Sequence, residues 1–256
     1  MTGLTVLLPP SETKREGGDT ERTLDLGALS FPELATERAA VITAARSVSS
    51  EETSARTALK LGPKSVAERL RNLVLETSPT MPAVERYTGV LYDPLDALTA
   101  DAATRAWWDR HVVVQSAMFG PVGAGDRIPA YRLSHDSRLP GIRLASHWSA
   151  PASAALATRP PGLVLDLRSE GYRALAPVPD SVPLRVVSVA GDGRRKALNH
   201  WNKTAKGRLV SLLGRTQASV SSMLELAAWA AAHGVVVEQV GNGWDLVAES
   251  LEPVAV

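Results

Sequence analysis

Leu4-Thr5-Val6-Leu7-Leu8-Pro9-Pro10-Ser11-Glu12-Thr13-Lys14 is a short apolar run stopped by two prolines and followed by polar residues. The run is too short for a stable helix and predicts a buried strand; Pro9 and Pro10 carry no amide hydrogen and break it sharply. Further apolar, β-branched runs at 111–118, 163–167, 184–189, 235–238 and 244–247 read as strands, with weaker candidates at 89–92 and 128–133. Apolar residues recur at helical spacing from 31 to 48, and 198–213 and 219–232 also read as helices. Strands and helices interleave without a strict βαβ period. The expected fold is therefore α/β (mixed α+β): one compact domain over residues 1–256, with a mixed central sheet and surrounding helices.

Residues 51–75 read as helix, tight turn, helix. Residues 51–60 favour a helix, Leu61-Gly62-Pro63 breaks it, and 65–75 resumes with Val66, Leu70, Leu73 and Val74 on one face. Residues 120–126 read as a glycine-rich loop. Pro121 and Pro129 argue against a dinucleotide fingerprint there.

Composition excludes several classes of chemistry. The 256 residues are 45% hydrophobic and 21% charged, which suits a folded globular chain. The formal net charge is +1, so affinity for an anionic partner must come from uneven charge distribution. There is no cysteine, which removes disulfides, thiolate metal sites and a cysteine nucleophile together. No apolar stretch approaches the ~18 residues of a membrane span, and the first ten residues lack the basic start of a signal peptide. A cytoplasmic protein is expected. The five histidines are scattered, no pair shows the i, i+4 spacing of a metal-binding helix, and no G-x-S-x-G is present. Neither metal nor cofactor is expected.

Four segments carry candidate chemistry. In 194–208, Lys196, Asn199, Lys203 and Lys206 fall within about 80° of one another on a helical wheel, with Leu198, Trp201, Ala205, Leu209 and Leu212 opposite. Such a basic face is either simply solvated or turned toward phosphate, and Arg208, at the end of the segment, is a further candidate for phosphate. In the hairpin, Lys60 and Lys64 flank Leu61-Gly62-Pro63, where a following helix N-terminus would offer backbone N–H groups to a phosphate; an ordinary αα-hairpin is the alternative. Lys14 follows the first strand, a usual place for a functional lysine: a phosphate ligand, a Schiff-base amine or a surface lysine. Finally, Asp166 and Ser169-Glu170-Gly171-Tyr172 follow another strand. Glu170 or Tyr172 suits acid–base work, whereas Ser169 suits a helix cap.

Several of these blocks, in the same order, are similar to the YaaA family. Leu7 to Lys14 resembles that family's opening strand and lysine loop. Tyr87-Thr88-Gly89-Val90-Leu91-Tyr92, Ser116-Ala117-Met118-Phe119-Gly120, Ile128-Pro129-Ala130-Tyr131-Arg132-Leu133, Ser169 to Tyr172, and Asn202-Lys203-Thr204-Ala205-Lys206-Gly207 resemble its later blocks. The sequence departs from the family at Pro10-Ser11-Glu12, and Lys206 stands where the family often has Arg. The resemblance implies a compact α/β fold with a helix-hairpin-helix beside a basic cleft, protection against peroxide through limiting free iron, and binding of double-stranded DNA. Under that reading Lys14, Lys60, Gly62, Lys64, Lys196, Lys203, Lys206 and Arg208 meet a DNA or nucleotide-like phosphate. The competing expectation is an enzyme acting on a nucleobase, nucleotide or related small molecule. Its nucleophile would be Lys14 or Lys203, with Asp166, Glu170 or Tyr172 assisting. A ferrous-iron binder ranks below both, because few ligands cluster in the sequence.

Overall fold

The computed structural model describes residues 3–189, 194–198 and 201–251, the side chains of 197 and 201 excepted. In chain order its elements are β1 (Gly3–Leu8), α1 (Ala35–Ser50), α2 (Glu52–Ala58), α3 (Leu70–Leu73), β2 (Met81–Pro82), α4 (Ala83–Arg86) and α5 (Ala102–His111). Then follow β3 (Val112–Ser116), β4 (Gly120–Gly123), β5 (Arg127–Ile128), α6 (Leu144–Leu156), β6 (Gly162–Asp166) and α7 (Glu170–Arg173). The remainder is β7 (Val182–Val189), β8 (Arg195–Ala197), α8 (Trp201–Arg215), α9 (Met223–Ala232), β9 (Val237–Val240) and β10 (Gly243–Val247). The single helical face expected for Lys196, Asn199, Lys203 and Lys206 does not form, since Lys196 pairs in β8 and α8 begins at Trp201; Asn199 and the side chain of Trp201 lie outside the described residues.

The main sheet runs β4-β3-β1-β6-β7-β10-β9, with β8 also paired to β7. Strand β1 lies parallel to β3 and β6, and β6, β7 and β10 continue in parallel. The outer strands β4 and β9, and β8, pair antiparallel, which makes the sheet mixed. Val6 sits between Val112 and Leu165 at the centre of the sheet, so β1 needs apolar residues on both faces, and Leu4, Val6, Leu7 and Leu8 are buried. Helix α1 buries Val41, Ile42, Ala45 and Val48, as its spacing predicts. The same helix buries Arg38, whose guanidinium donates to the carbonyls of Phe119 (2.9 Å), Ser30 (2.7 Å), Pro121 (3.0 Å) and Leu26 (3.3 Å).

Four local expectations are corrected. The second limb of the 51–75 hairpin is a 3-10 segment, Val66–Arg69, leading into the four-residue α3. The tighter winding shifts the buried face. Asn72 is buried, with its amide bonded to Ser49 and to the backbone of Arg132, while Leu70 and Val74 are exposed. The left-handed position that ends α2 falls on Lys60 (φ 54°) rather than Gly62, with Leu61 N–H donating back to Arg56. A regular helix-hairpin-helix is not what this segment forms.

Residues 89–92 make a turn, in which Tyr92 and Asp93 N–H both donate to the Gly89 carbonyl. The glycine-rich 120–123 segment is the edge strand β4, where Pro121 and the two glycines are tolerated because one side of the ladder is free. Of the 128–133 run only Ile128 pairs as a strand, together with Arg127 before it, against β2. Helices α5 and α6 were not expected; Pro151 inside α6 interrupts the helical signal.

Candidate functional site

The parallel strands β1 and β6 end side by side, and the loops leaving them build a cavity of about 400 Å³. Its wall includes Pro9 to Thr13 after β1, Val90 to Tyr92, Ser134 to Asp136, and Ser169 and Tyr172 after β6; Lys203 of α8 closes it. The Tyr92 hydroxyl donates to the Pro9 carbonyl at 2.6 Å, fixing the turn to the end of β1. The His135 ring packs edge-on to Tyr172 at 4.9 Å between centroids. That approach needs a glycine, since a Cβ on Gly171 would stand 2.4 Å from the His135 ring.

Lys14 lies behind this wall, not on it. Its ammonium donates to the carbonyls of Ser11 (2.9 Å) and Glu12 (3.3 Å) and lies over the rings of Tyr131 (4.0 Å to the centroid) and Tyr87 (5.5 Å). Among the described residues no carboxylate pairs with it. Burial pushes its pKa down to about 7, helped by the nearby Arg132 and Arg71 and opposed by Glu68 and Glu12. Beneath it runs a hydroxyl chain: Ser116 to Tyr131 at 2.9 Å and Tyr131 to Tyr87 at 2.8 Å. Ser116 Oγ accepts the N–H groups of Met118 and Phe119, so its own hydrogen goes to Tyr131, which in turn donates to Tyr87. Burial raises the pKa of both tyrosines, which stay protonated.

The other sequence candidates divide among several places. Lys60 reaches the first cavity only through Asp136, to which it is paired at 2.5 Å. Tyr172 and Lys203 line that cavity directly, and Lys203 is exposed with no ion pair among the described residues. Asp166 and Lys206 line a second cavity of about 460 Å³. There Asp166 is locked to Arg168, which donates to both of its oxygens at 2.9 and 2.7 Å. Lys206 is buried, donates to the Leu167 carbonyl at 3.2 Å, and is pushed down to about 8, first by burial.

Arg208 lies beside a third cavity with Ser188 and Glu249, and donates to the Leu251 carbonyl. Gly62, Lys64, Glu170 and Lys196 are exposed and line neither of the first two cavities. Ser169 occupies the N-cap position of α7, but its hydroxyl makes no capping bond. The expected convergence of cations on one pocket is thus partial. Lys203 and Lys206, one helical turn apart, face two cavities separated by the 166–173 segment.

Ser11, Ser134, His135 and Asp136 also line the cavity, and neither residue type nor spacing marks them in the sequence; the adjacency of His135 and Asp136 is a weak local signal that does not tie them to Tyr172. Among the described residues, no group of three His, Asp or Glu side chains is placed to hold a metal ion, and no helix is long and apolar enough to cross a membrane.

The family model described as peroxide stress protein YaaA matches residues 4–234. A UPF0246 protein of Corynebacterium efficiens is 43% identical over 238 residues, covering 91% of this chain and 94% of its own length. One from Corynebacterium glutamicum is 39% identical over 247 residues, covering 93% and 96%. Another, from Streptomyces coelicolor, is 40% identical over 226 residues, covering 86% of each chain. The match runs from β1 to the end of α9 and includes every residue of the first cavity, and the chain belongs to the YaaA family of peroxide stress proteins.

Proposed function

We propose that this protein serves in peroxide stress by binding a phosphate-bearing nucleotide ligand in the first cavity, with Lys203 as the cation that meets the phosphate. The observation that carries this reading is the condition of Lys203: it lines a cavity at the carboxyl ends of adjacent parallel strands, exposed and without an ion-pair partner among the described residues. Ligands of open α/β sheets bind at that end. Lys203 also repels Lys206 one turn away, a penalty that a bound anion relieves. The Ser169 hydroxyl on the same wall makes no capping bond and is available as a donor, whereas Ser11 spends its hydrogen on Thr13. Equilibrium binding of a fluorescent nucleoside monophosphate tests it. Lys203→Ala should weaken binding about tenfold, near 1.4 kcal/mol, and Lys203→Arg should largely restore it. Equal affinity in wild type and Lys203→Ala refutes the reading.

A second reading, double-stranded DNA across the mouth of the same cavity, is favoured by the exposed Lys64 and Lys196 and by the turn at 61–63, tied to the cavity through Lys60 and Asp136. Contacts from Lys64, Lys196 and Lys203 to three phosphates predict that log K falls with log salt at a slope of about −2.7. Lys14, enclosed behind the wall, takes no part in direct phosphate contact under either reading. A salt titration with duplex DNA separates the two: a salt-insensitive or undetectable interaction removes DNA and leaves the nucleotide.

A further inference from the structure

The second cavity lies on the other side of the 166–173 segment from the first. Ser169 and Tyr172 face one cavity, while Asp166, Arg168 and Arg173 face the other. Both carboxylates on its wall are already neutralised. Asp166 accepts from Arg168 on both oxygens, and Asp245 accepts from Arg185 at 2.7 and 2.9 Å and from Arg195 at 3.3 Å. Two further cations remain. Lys206, only 9% exposed, makes a single hydrogen bond among the described residues, to the Leu167 carbonyl, which leaves two of its N–H directions unspent there. The Arg173 guanidinium, 44% exposed, approaches Asp166 no closer than 3.6 Å and makes no side-chain hydrogen bond among the described residues. Burying an ammonium with donors to spare is costly, and an anion is the partner that recovers the cost. Half-buried Trp244 of β10 adds an aromatic face to the same cavity.

We propose that this second cavity is a separate binding site for a small molecule that joins a phosphate or carboxylate to a flat ring, the anion held by Lys206 and Arg173 and the ring packed on Trp244. The site is independent of the nucleotide cavity. Its volume suits a ligand of one ring and one acidic group.

Ligand-observed NMR on the full chain with phenyl phosphate, benzoate and inorganic phosphate tests the assignment. Phenyl phosphate or benzoate should bind at millimolar concentration, and which of the two binds tells a phosphate from a carboxylate ligand. Arg173→Ala, at a partly exposed position, should weaken binding about tenfold, as should Lys206→Met. Trp244→Leu should weaken the ring-bearing probe while leaving inorganic phosphate unchanged. Lys203→Ala should leave the part of the binding that depends on Arg173 and Trp244 unaffected, which keeps this test apart from that of the first cavity. Circular dichroism shows whether the Lys206 variant is folded, and the Arg173 variant decides the matter if it is not. The proposal is overturned if neither ring-bearing probe binds, if Arg173→Ala binds as the wild type does, or if Lys203→Ala abolishes the Trp244-dependent binding.

Discussion

The ammonium of Lys14 stands 4.0 Å from the centre of the Tyr131 ring, while its hydrogen-bond acceptors are backbone carbonyls and no carboxylate pairs with it among the described residues. A neutral amine still has two hydrogens for Ser11 and Glu12 and gives up only the attraction to the ring faces. Deprotonation therefore costs the folded protein little, in keeping with a pKa near 7.

Lys14→Met should flatten the pH dependence of stability on the alkaline side. The unfolded chain binds this proton below about 10.5, the folded chain only below about 7. Between those values the unfolded state holds more protons, so wild-type stability rises with pH. Between pH 7 and 9.5 the gain relative to Lys14→Met should reach up to about 3 kcal/mol. Urea unfolding of both proteins at both pH values measures it, and parallel curves would contradict the buried, unpaired amine.

Lys60→Ala should free Asp136. The pair holds the Asp136 carboxyl down to about 2, chiefly through the Lys60 hydrogen bond. Carbon NMR should find that carboxyl titrating closer to its ordinary value of 3.8 in the variant. Both side chains are about half exposed, so the stability change should stay below ~1 kcal/mol. The pair's contribution is present above the ordinary carboxylate pKa and disappears as pH falls toward 2.

Gly207→Ala sets helix propensity against packing. In an open helix the change gains about 1 kcal/mol. Here an added Cβ would stand 2.0 Å from the Leu91 carbonyl, on a residue that lines the first cavity. A net loss of about 2 kcal/mol or more is expected, read from thermal melts, because backbone must move. An unchanged or higher melting temperature would mean that α8 lies farther from the 89–92 turn.

Arg38→Met should cost about 3–5 kcal/mol, because it strands four carbonyls that the guanidinium now satisfies between α1 and β4. Arg38→Lys, which keeps the charge but not the planar fork, should recover less than half of that loss in chemical denaturation.

The strands β1, β3 and β6 were legible because a strand buried at the centre of a sheet is a nearly unbroken apolar run, and that is a property of the run itself; β7, with Arg185 exposed, was legible from its apolar majority. Strand β4 was not, since an edge position admits glycine and proline. Gly120 is held at φ 65° against Trp148, a residue remote in sequence. The hairpin misled for a related reason: Asn72 finds its three hydrogen bonds on Ser49 and Arg132, so a polar side chain took the buried place that spacing assigned to Leu70 and Val74. Lys203 and Tyr172, both candidates from the sequence, line the first cavity, while His135 and Asp136 meet Tyr172 and Lys60 only through folding.

By itself the sequence determined most of the central strands, the α/β class they imply, the family, and which side chains are candidates for chemistry. Those follow from residue type and local period. Which charges remain available was decided by tertiary structure alone, because a charge is neutralised by whatever the fold brings within a few ångströms. Lys60 meets a carboxylate 76 residues away. Lys203 and Lys206, three residues apart, open onto different cavities, and Lys14 faces tyrosines instead of solvent.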